Sequence, residues 1–241
     1  MLNRFGRSAQ RKFAASTRGR KIIILARMDT NQLADGLIQY LMLVALLTFH
    51  EFGHAWTAWK CGDDTARLQG RVSLNPVVHM DLIGTVVLPL MMIFLSPGIS
   101  RFMIGWAKPV PVNPYNLREP RRDDILVTMA GPAMNLILAV VLMALARAGM
   151  SFHSEAMIEL CVQAAAMSLL LCFFNLIPIP PLDGSHVMRN LTNMSYETYA
   201  NIARYGFIIV IVVLQIPQVR YTLSAVTYGT LGLLARIFGV N

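Results

Sequence analysis

Charge is scarce in this chain. Only 14% of its residues are Asp, Glu, Lys or Arg, against about a quarter in a soluble domain. Hydrophobic residues make up 55% and mean hydropathy is +0.52, so an ordinary water-facing globule is excluded. Clustered cysteine is missing as well: Cys61, Cys161 and Cys172 stand far apart. That spacing provides neither a thiolate metal module nor a disulfide framework, and the three read as small buried apolar residues. Acid is absent from residues 1–27, which hold eight basic residues; the remaining 13 basic and 13 acidic residues balance. The net charge of +8 therefore belongs to the tail. No basic recognition motif accompanies it, which excludes a nucleic-acid partner. A tail near anionic lipid is the plainest reading. An Arg-rich organelle transit peptide and a true start at Met28 are the alternatives.

What the chain has instead is long apolar runs. A spanning helix needs about 20 such residues. Segments 36–59, 82–100, 125–147 and 157–178 meet that length, and 203–217 and 221–239 follow. The expected fold is an all-α polytopic membrane protein with about six transmembrane helices, one of them broken by prolines. An extended, re-entrant-like loop joins the second and third spans, because Pro109, Pro111 and Pro114 exclude a regular helix there. Residues 1–35 are expected to form a basic tail, 36–200 a catalytic core and 201–241 C-terminal transmembrane helices. No internal repeat is visible. The stretch Arg118 to Asp124 reads as a water-exposed edge.

Inside the first run lies His50-Glu51-Phe52-Gly53-His54. These are the only acidic, basic or imidazole side chains between Gly36 and Trp59. Such groups are costly at membrane depth and mark a functional site. Positions i and i+4 share a helix face, so His50 and His54 can reach one metal ion. Glu51 stands beside them as a base for an attacking water, which is the pattern of zinc proteases. A catalytic zinc uses three protein ligands and leaves a fourth position open. The expected third ligand is Asp183, in Asn175-Leu176-Ile177-Pro178-Ile179-Pro180-Pro181-Leu182-Asp183-Gly184. Three prolines break the fourth span there, and irregular backbone at membrane depth survives only when it is buried or lines a wet cavity. His79, Asp81, His186, Asp63 and Asp64 are competing ligands. Asn135, in Gly131-Pro132-Ala133-Met134-Asn135, and Asn175 are candidate donors to a substrate or an oxyanion. The glycine and its small neighbours also permit close helix approach.

Taken together, the His-Glu-Phe-Gly-His, Gly-Pro-Ala-Met-Asn and proline-rich Leu-Asp-Gly segments resemble the three motifs of the site-2 protease family of intramembrane zinc metalloproteases. Gly105-Trp106-Ala107-Lys108-Pro109-Val110-Pro111-Val112-Asn113-Pro114 is similar to a stretch of its compact branch, which lacks PDZ and CBS modules. The resemblance implies one zinc ion per chain on His50, His54 and Asp183, with Glu51 as base and Asn135 and Asn175 shaping the site. It also implies cleavage of membrane-spanning or membrane-associated peptides within a lipid bilayer. The expected location is a bacterial cell membrane, or an organelle membrane if residues 1–27 are a transit peptide. Two other readings share the motif: a membrane-anchored zinc protease acting on peptides outside the bilayer, and a metal-binding scaffold without catalysis.

Overall fold

The computed structural model describes residues 30–95, 103 and 105–240. Residues 1–29 of the expected tail, Met28 among them, and the end of the expected second span lie outside them, while residues 30–35 belong to the first helix. The chain divides into two compact units, Met1–Leu41 with Leu82–Gly105 and Met42–Asp81 with Trp106–Asn241. Among the described residues the secondary structure is helical, with one isolated antiparallel bridge between Met80 and Ala107.

Helix α1, Thr30–Lys60, has 31 residues and so spans about 46 Å, longer than a hydrocarbon core of about 30 Å. It carries Lys60 in its last turn, and the chain then turns at Gly62, whose φ of +108° suits a residue without Cβ. In the first unit, Leu82–Val87 winds as a π-helix and passes into α3, Leu88–Leu95. Gly36 of α1 lets Ile93 approach: a Cβ there would stand 3.2 Å from Ile93 Cγ1.

The second unit is built on a helical hairpin. Helix α4, Pro120–Ser151, starts with proline in its first turn, where a missing N–H costs nothing. Helix α5, Glu155–Asn175, is capped by Ser154, whose side chain accepts from Met157 N. The two pack through small residues, with Ala139, Ala146, Cys161 and Ala165 buried around Met143 and Leu169. Small side chains let apolar helices close on one another where lipid is the competitor. Outward, α4 exposes Leu126, Leu136, Ile137, Val141 and Leu145, a face that suits acyl chains rather than water.

Between α1 and α4 lie the short α2, Thr65–Leu68, and 3-10 turns at Pro76–Val78 and Pro114–Asn116. After α5 come α6, Gly184–Leu191; α7, Tyr196–Ala203; α8, Gly206–Leu214; and α9, Pro217–Phe238. Among the described residues three helices are long and apolar enough to cross a membrane, α1, α4 and α5, or four if α7 and α8 count as one span bent by 60°. The expected six are therefore not all present as straight spans among the described residues. The run 203–217 is bent because the helix breaks at Tyr205-Gly206. A Cβ on Gly206 would meet the Pro181 nitrogen at 3.2 Å and the Pro180 carbonyl closer still. Helix α9 has the length of a span but lacks the hydropathy of the other three.

The expected water-exposed edge at Arg118 to Asp124 holds for residues 118–122, which are exposed, and fails for the last two. Asp123 and Asp124 are buried, because a helix N-terminus has spare N–H groups and a favourable dipole for carboxylates. Asp123 Oδ2 accepts from Glu119 N at 2.9 Å. The 105–114 stretch is extended, as the prolines require. It is pinned to the loop before it, since Lys108 N donates to His79 O at 2.8 Å and Arg71 donates to the carbonyls of Lys108 and Pro109.

Candidate metal centre

The helical register of α1 puts His50 and His54 on the face turned toward α4. Two glycines make that approach close. A Cβ on Gly53 would lie 2.8 Å from Ala130 O. A Cβ on Gly131 would lie 2.6 Å from His50 Cε1 and equally near His54 Cε1. The imidazoles thus occupy the space that any side chain at 131 would fill. Pro132 sits inside α4 without ending it.

Asp183 reaches the same place from the proline break. Helix α5 ends at Asn175, and the chain turns through Pro178, Pro180 and Pro181 before α6 begins at Gly184. Asp183 occupies the N-cap position of α6, yet its side chain caps nothing. Its carboxylate points to the histidines instead. Gly184 allows the turn by proximity, since a Cβ there would stand 2.8 Å from Ile177 O.

Three ligand-type side chains therefore converge, the carboxylate turning one oxygen to each imidazole. His50 Nε2 and His54 Nε2 are 3.1 Å apart. Asp183 Oδ2 is 3.2 Å from His50 Nε2, and Asp183 Oδ1 is 3.4 Å from His54 Nε2. Nitrogen and oxygen ligands on a tetrahedral zinc, at bond lengths of about 2.0–2.1 Å, lie about 3.3 Å from each other. The Nε2–Nε2 separation and the contact each imidazole makes with its own carboxylate oxygen are close to that figure. Asp183 Oδ2 is buried without a hydrogen-bond partner among the described residues, and a buried carboxylate oxygen left in that state calls for a cation. The group fits zinc in donor type, number and spacing.

His54 Nδ1 donates to Val127 O at 2.7 Å, which leaves its Nε2 lone pair for a metal. His50 Nδ1 faces the Asn135 side chain at 3.1 Å, and Ser168 Oγ donates to the Asn135 backbone oxygen at 2.7 Å. Glu51 is buried beside His50. Its charge acts on Arg71 and His79 in the following loop. Burial pushes the His79 imidazole below its ordinary value; its bond to Ser73 O opposes that, Arg71 adds to it and Glu51 opposes it.

The competing ligands are engaged elsewhere. His79 Nε2 donates to Ser73 O, Asp64 pairs with Arg67, and His186 pairs with Asp124. Asp63 accepts from Thr65, Asn113 and Asn116. Asp81 is not in the metal-type group. The Asn175 side chain donates to Leu171 O, one turn back on its own helix.

The family model described as "Peptidase family M50" matches residues 38–153 and 146–214. The chain belongs to peptidase family M50. This is the site-2 protease family, and the three motifs all lie within the match. The M50 chain is 37% identical over 197 residues to the "Putative zinc metalloprotease YwhC" of Bacillus subtilis (strain 168), covering 78% of itself and 85% of that relative. Proteins with the same wording and the name Rip2 also match. The one from Mycolicibacterium smegmatis is 33% identical over 72% of this chain and 65% of its own length. The one from Mycobacterium tuberculosis H37Rv is 28% identical over 76% of this chain and 68% of its own length. No solved structure matches. The protein is an intramembrane zinc metalloprotease, its cofactor is Zn2+, and its setting is a lipid membrane with membrane substrates.

Several residues that build this M50 centre were not legible as parts of it. The sequence marks Gly131 only as a close-approach residue, although its missing Cβ is what houses the imidazoles. Asp124 accepts from Arg189 at 2.9 Å, from Asn190 at 2.5 Å and from His186 at 3.3 Å. These three donors all sit on α6, the helix that begins directly after Asp183, so Asp124 ties the Asp183 turn to α4. An acid opening an apolar helix two turns before the Gly-Pro motif is the available signal, but its partners lie more than 60 residues away.

Proposed function

We propose that His50, His54 and Asp183 hold the zinc ion and that Glu51 is the general base for hydrolysis of peptide bonds in or near membrane-spanning segments. The convergence of the three side chains, with polar atoms 3.1 to 3.4 Å apart, carries this reading. Zinc bound there supplies Lewis acidity and makes water nucleophilic near neutral pH. Glu51 takes the proton of the attacking water and returns it to the leaving amine. His50 lies about 15 Å from the Lys60 end of α1, and Arg71 and His79 of the following loop feel the charge of Glu51. Asn175 has a second N–H to offer a substrate carbonyl, the first being held by Leu171 O.

The substrate segment must unwind, because a helical peptide bond is shielded by its own turn. The extended 105–114 stretch favours an unwound strand as neighbour, through the main chain between its prolines. The reading places the enzyme in a bacterial cell membrane. The wild-type chain in nanodiscs is expected to bind one zinc and to cleave a membrane-embedded peptide. Glu51→Gln keeps the zinc and loses about 10²–10⁴ in rate. Cleavage at the wild-type rate by Glu51→Gln would remove Glu51 as base. Zinc binding by the wild type with no cleavage of any membrane peptide would favour the scaffold reading.

A further inference from the structure

The geometry points to Asn135 as the residue that sets the tautomer of His50, by accepting the Nδ1 proton on its side-chain carbonyl oxygen. The inference rests on His50, His54 and Asp183 being the zinc ligands.

The two histidines pose the same problem and solve it differently. A neutral imidazole carries one proton, and the nitrogen that binds metal must be the bare one. For His54 the answer is unambiguous. Its Nδ1 lies 2.7 Å from Val127 O, a carbonyl only accepts, and so Nδ1 carries the proton. His50 Nε2 points at the same centre, 3.1 Å from His54 Nε2 and 3.2 Å from Asp183 Oδ2. Its proton therefore belongs on Nδ1 and needs an acceptor.

The group facing Nδ1 is the Asn135 amide, at 3.1 Å. Asn135 is fully buried, out of reach of bulk water. The two ends of an amide are nearly the same shape, and hydrogen bonding decides which end points where. With the NH2 toward His50, two donors confront each other and Asn135 Oδ1 is left buried without a partner. With the oxygen toward His50, Nδ1–H has its acceptor and the orphaned oxygen is satisfied. One half-turn of the side chain pairs Nδ1–H with the oxygen and turns the NH2 to the side where the oxygen stood. The backbone is held for this task, since Ser168 Oγ from α5 bonds the Asn135 carbonyl at 2.7 Å.

Asn135 is thus a positioning residue that acts through His50, rather than an oxyanion donor. The two roles need opposite ends of the amide, and two substitutions separate them. Asn135→Asp keeps an acceptor and loses the NH2. Asn135→Leu keeps the approximate shape and loses both. The readout is zinc affinity of the metal-free full chain in nanodiscs, by competition with a fluorescent chelator. Wild type and Asn135→Asp are expected to bind within about threefold of each other or with Asp tighter. Asn135→Leu is expected to bind about 10–100-fold more weakly. Equal zinc affinity in Asn135→Leu and wild type would overturn the inference while leaving the ligand assignment intact. Absence of zinc binding in the wild type would overturn the ligand assignment itself. Nitrogen-15 NMR of histidine-labelled wild type needs no variant to fold: His50 Nδ1 should be the protonated nitrogen, and a bare Nδ1 would refute the proposal.

Discussion

Replacing Gly131 with alanine adds one methyl group at the closest point between α4 and the metal-type side chains. The new Cβ would stand 2.6 Å from both His50 Cε1 and His54 Cε1. Ordinary carbon contacts begin at about 3.5 Å, so the overlap is about 1 Å on two rings at once. Neither ring has slack. His54 is tied to Val127 O on α4 itself, and His50 faces Asn135 one turn further along. The clash must then be relieved by moving the helices apart or by swinging the imidazoles off their converging edges. The first costs about 1–3 kcal/mol, as overpacking does. The second misplaces reacting groups by about 1 Å, which costs about 100-fold in rate.

Zinc affinity, thermal unfolding and cleavage of a membrane peptide should be measured together for Gly131→Ala. Two other alanines serve as references. A Cβ at Gly149 would meet the Ile158 and Met157 side chains at 3.1 and 3.3 Å and the Ile158 backbone nitrogen at 3.4 Å, all away from the imidazoles, and one at Gly232 would meet nothing within 4 Å. Both should keep wild-type zinc affinity. If Gly131→Ala also keeps zinc affinity and cleavage within about twofold of wild type, the imidazoles do not lie against α4 and the described centre is wrong.

Asp183→Asn should release zinc from a chain that still folds, and retention of one zinc per chain would remove Asp183 as a ligand. Asp124→Asn should lower stability by about 3–5 kcal/mol, because Arg189 is left buried beside a neutral group, and should weaken zinc binding through the loosened Asp183 turn; an unchanged melting temperature would sink that role. Asp63 provides a pH signature. Burial alone would raise its pKa, but hydrogen bonds from Thr65, Asn116 and Asn113 outweigh it and hold it below the ordinary carboxylate value. A depressed native pKa gives stability that is full above the unfolded value of about 3.9 and disappears as pH falls through the native one. Acid unfolding of Asp63→Asn should therefore begin from a less stable state and show a shallower pH dependence below about 4; superimposable acid melts would refute it.

The sequence alone determined the chemistry and its register. His50 and His54 are four residues apart on an uninterrupted apolar helix, and helix geometry puts them on one face whatever surrounds them. The cost of ionisable groups in lipid made that face a site, and proline chemistry placed the irregular backbone around Asp183. Span counting went less far, because hydropathy reports length and apolarity but not a bend such as the one of 60° between α7 and α8. Tertiary structure decided the rest. Which acid completes the centre depends on contacts across 129 to 133 residues of chain, and the Asn135–His50 pair spans 85. The burial of Asp124, the empty flank of Gly131 and the choice of Val127 as partner for His54 have the same origin. Local backbone periodicity fixes neighbours within a few turns, whereas these pairings exist only after two helices and a proline turn have packed together.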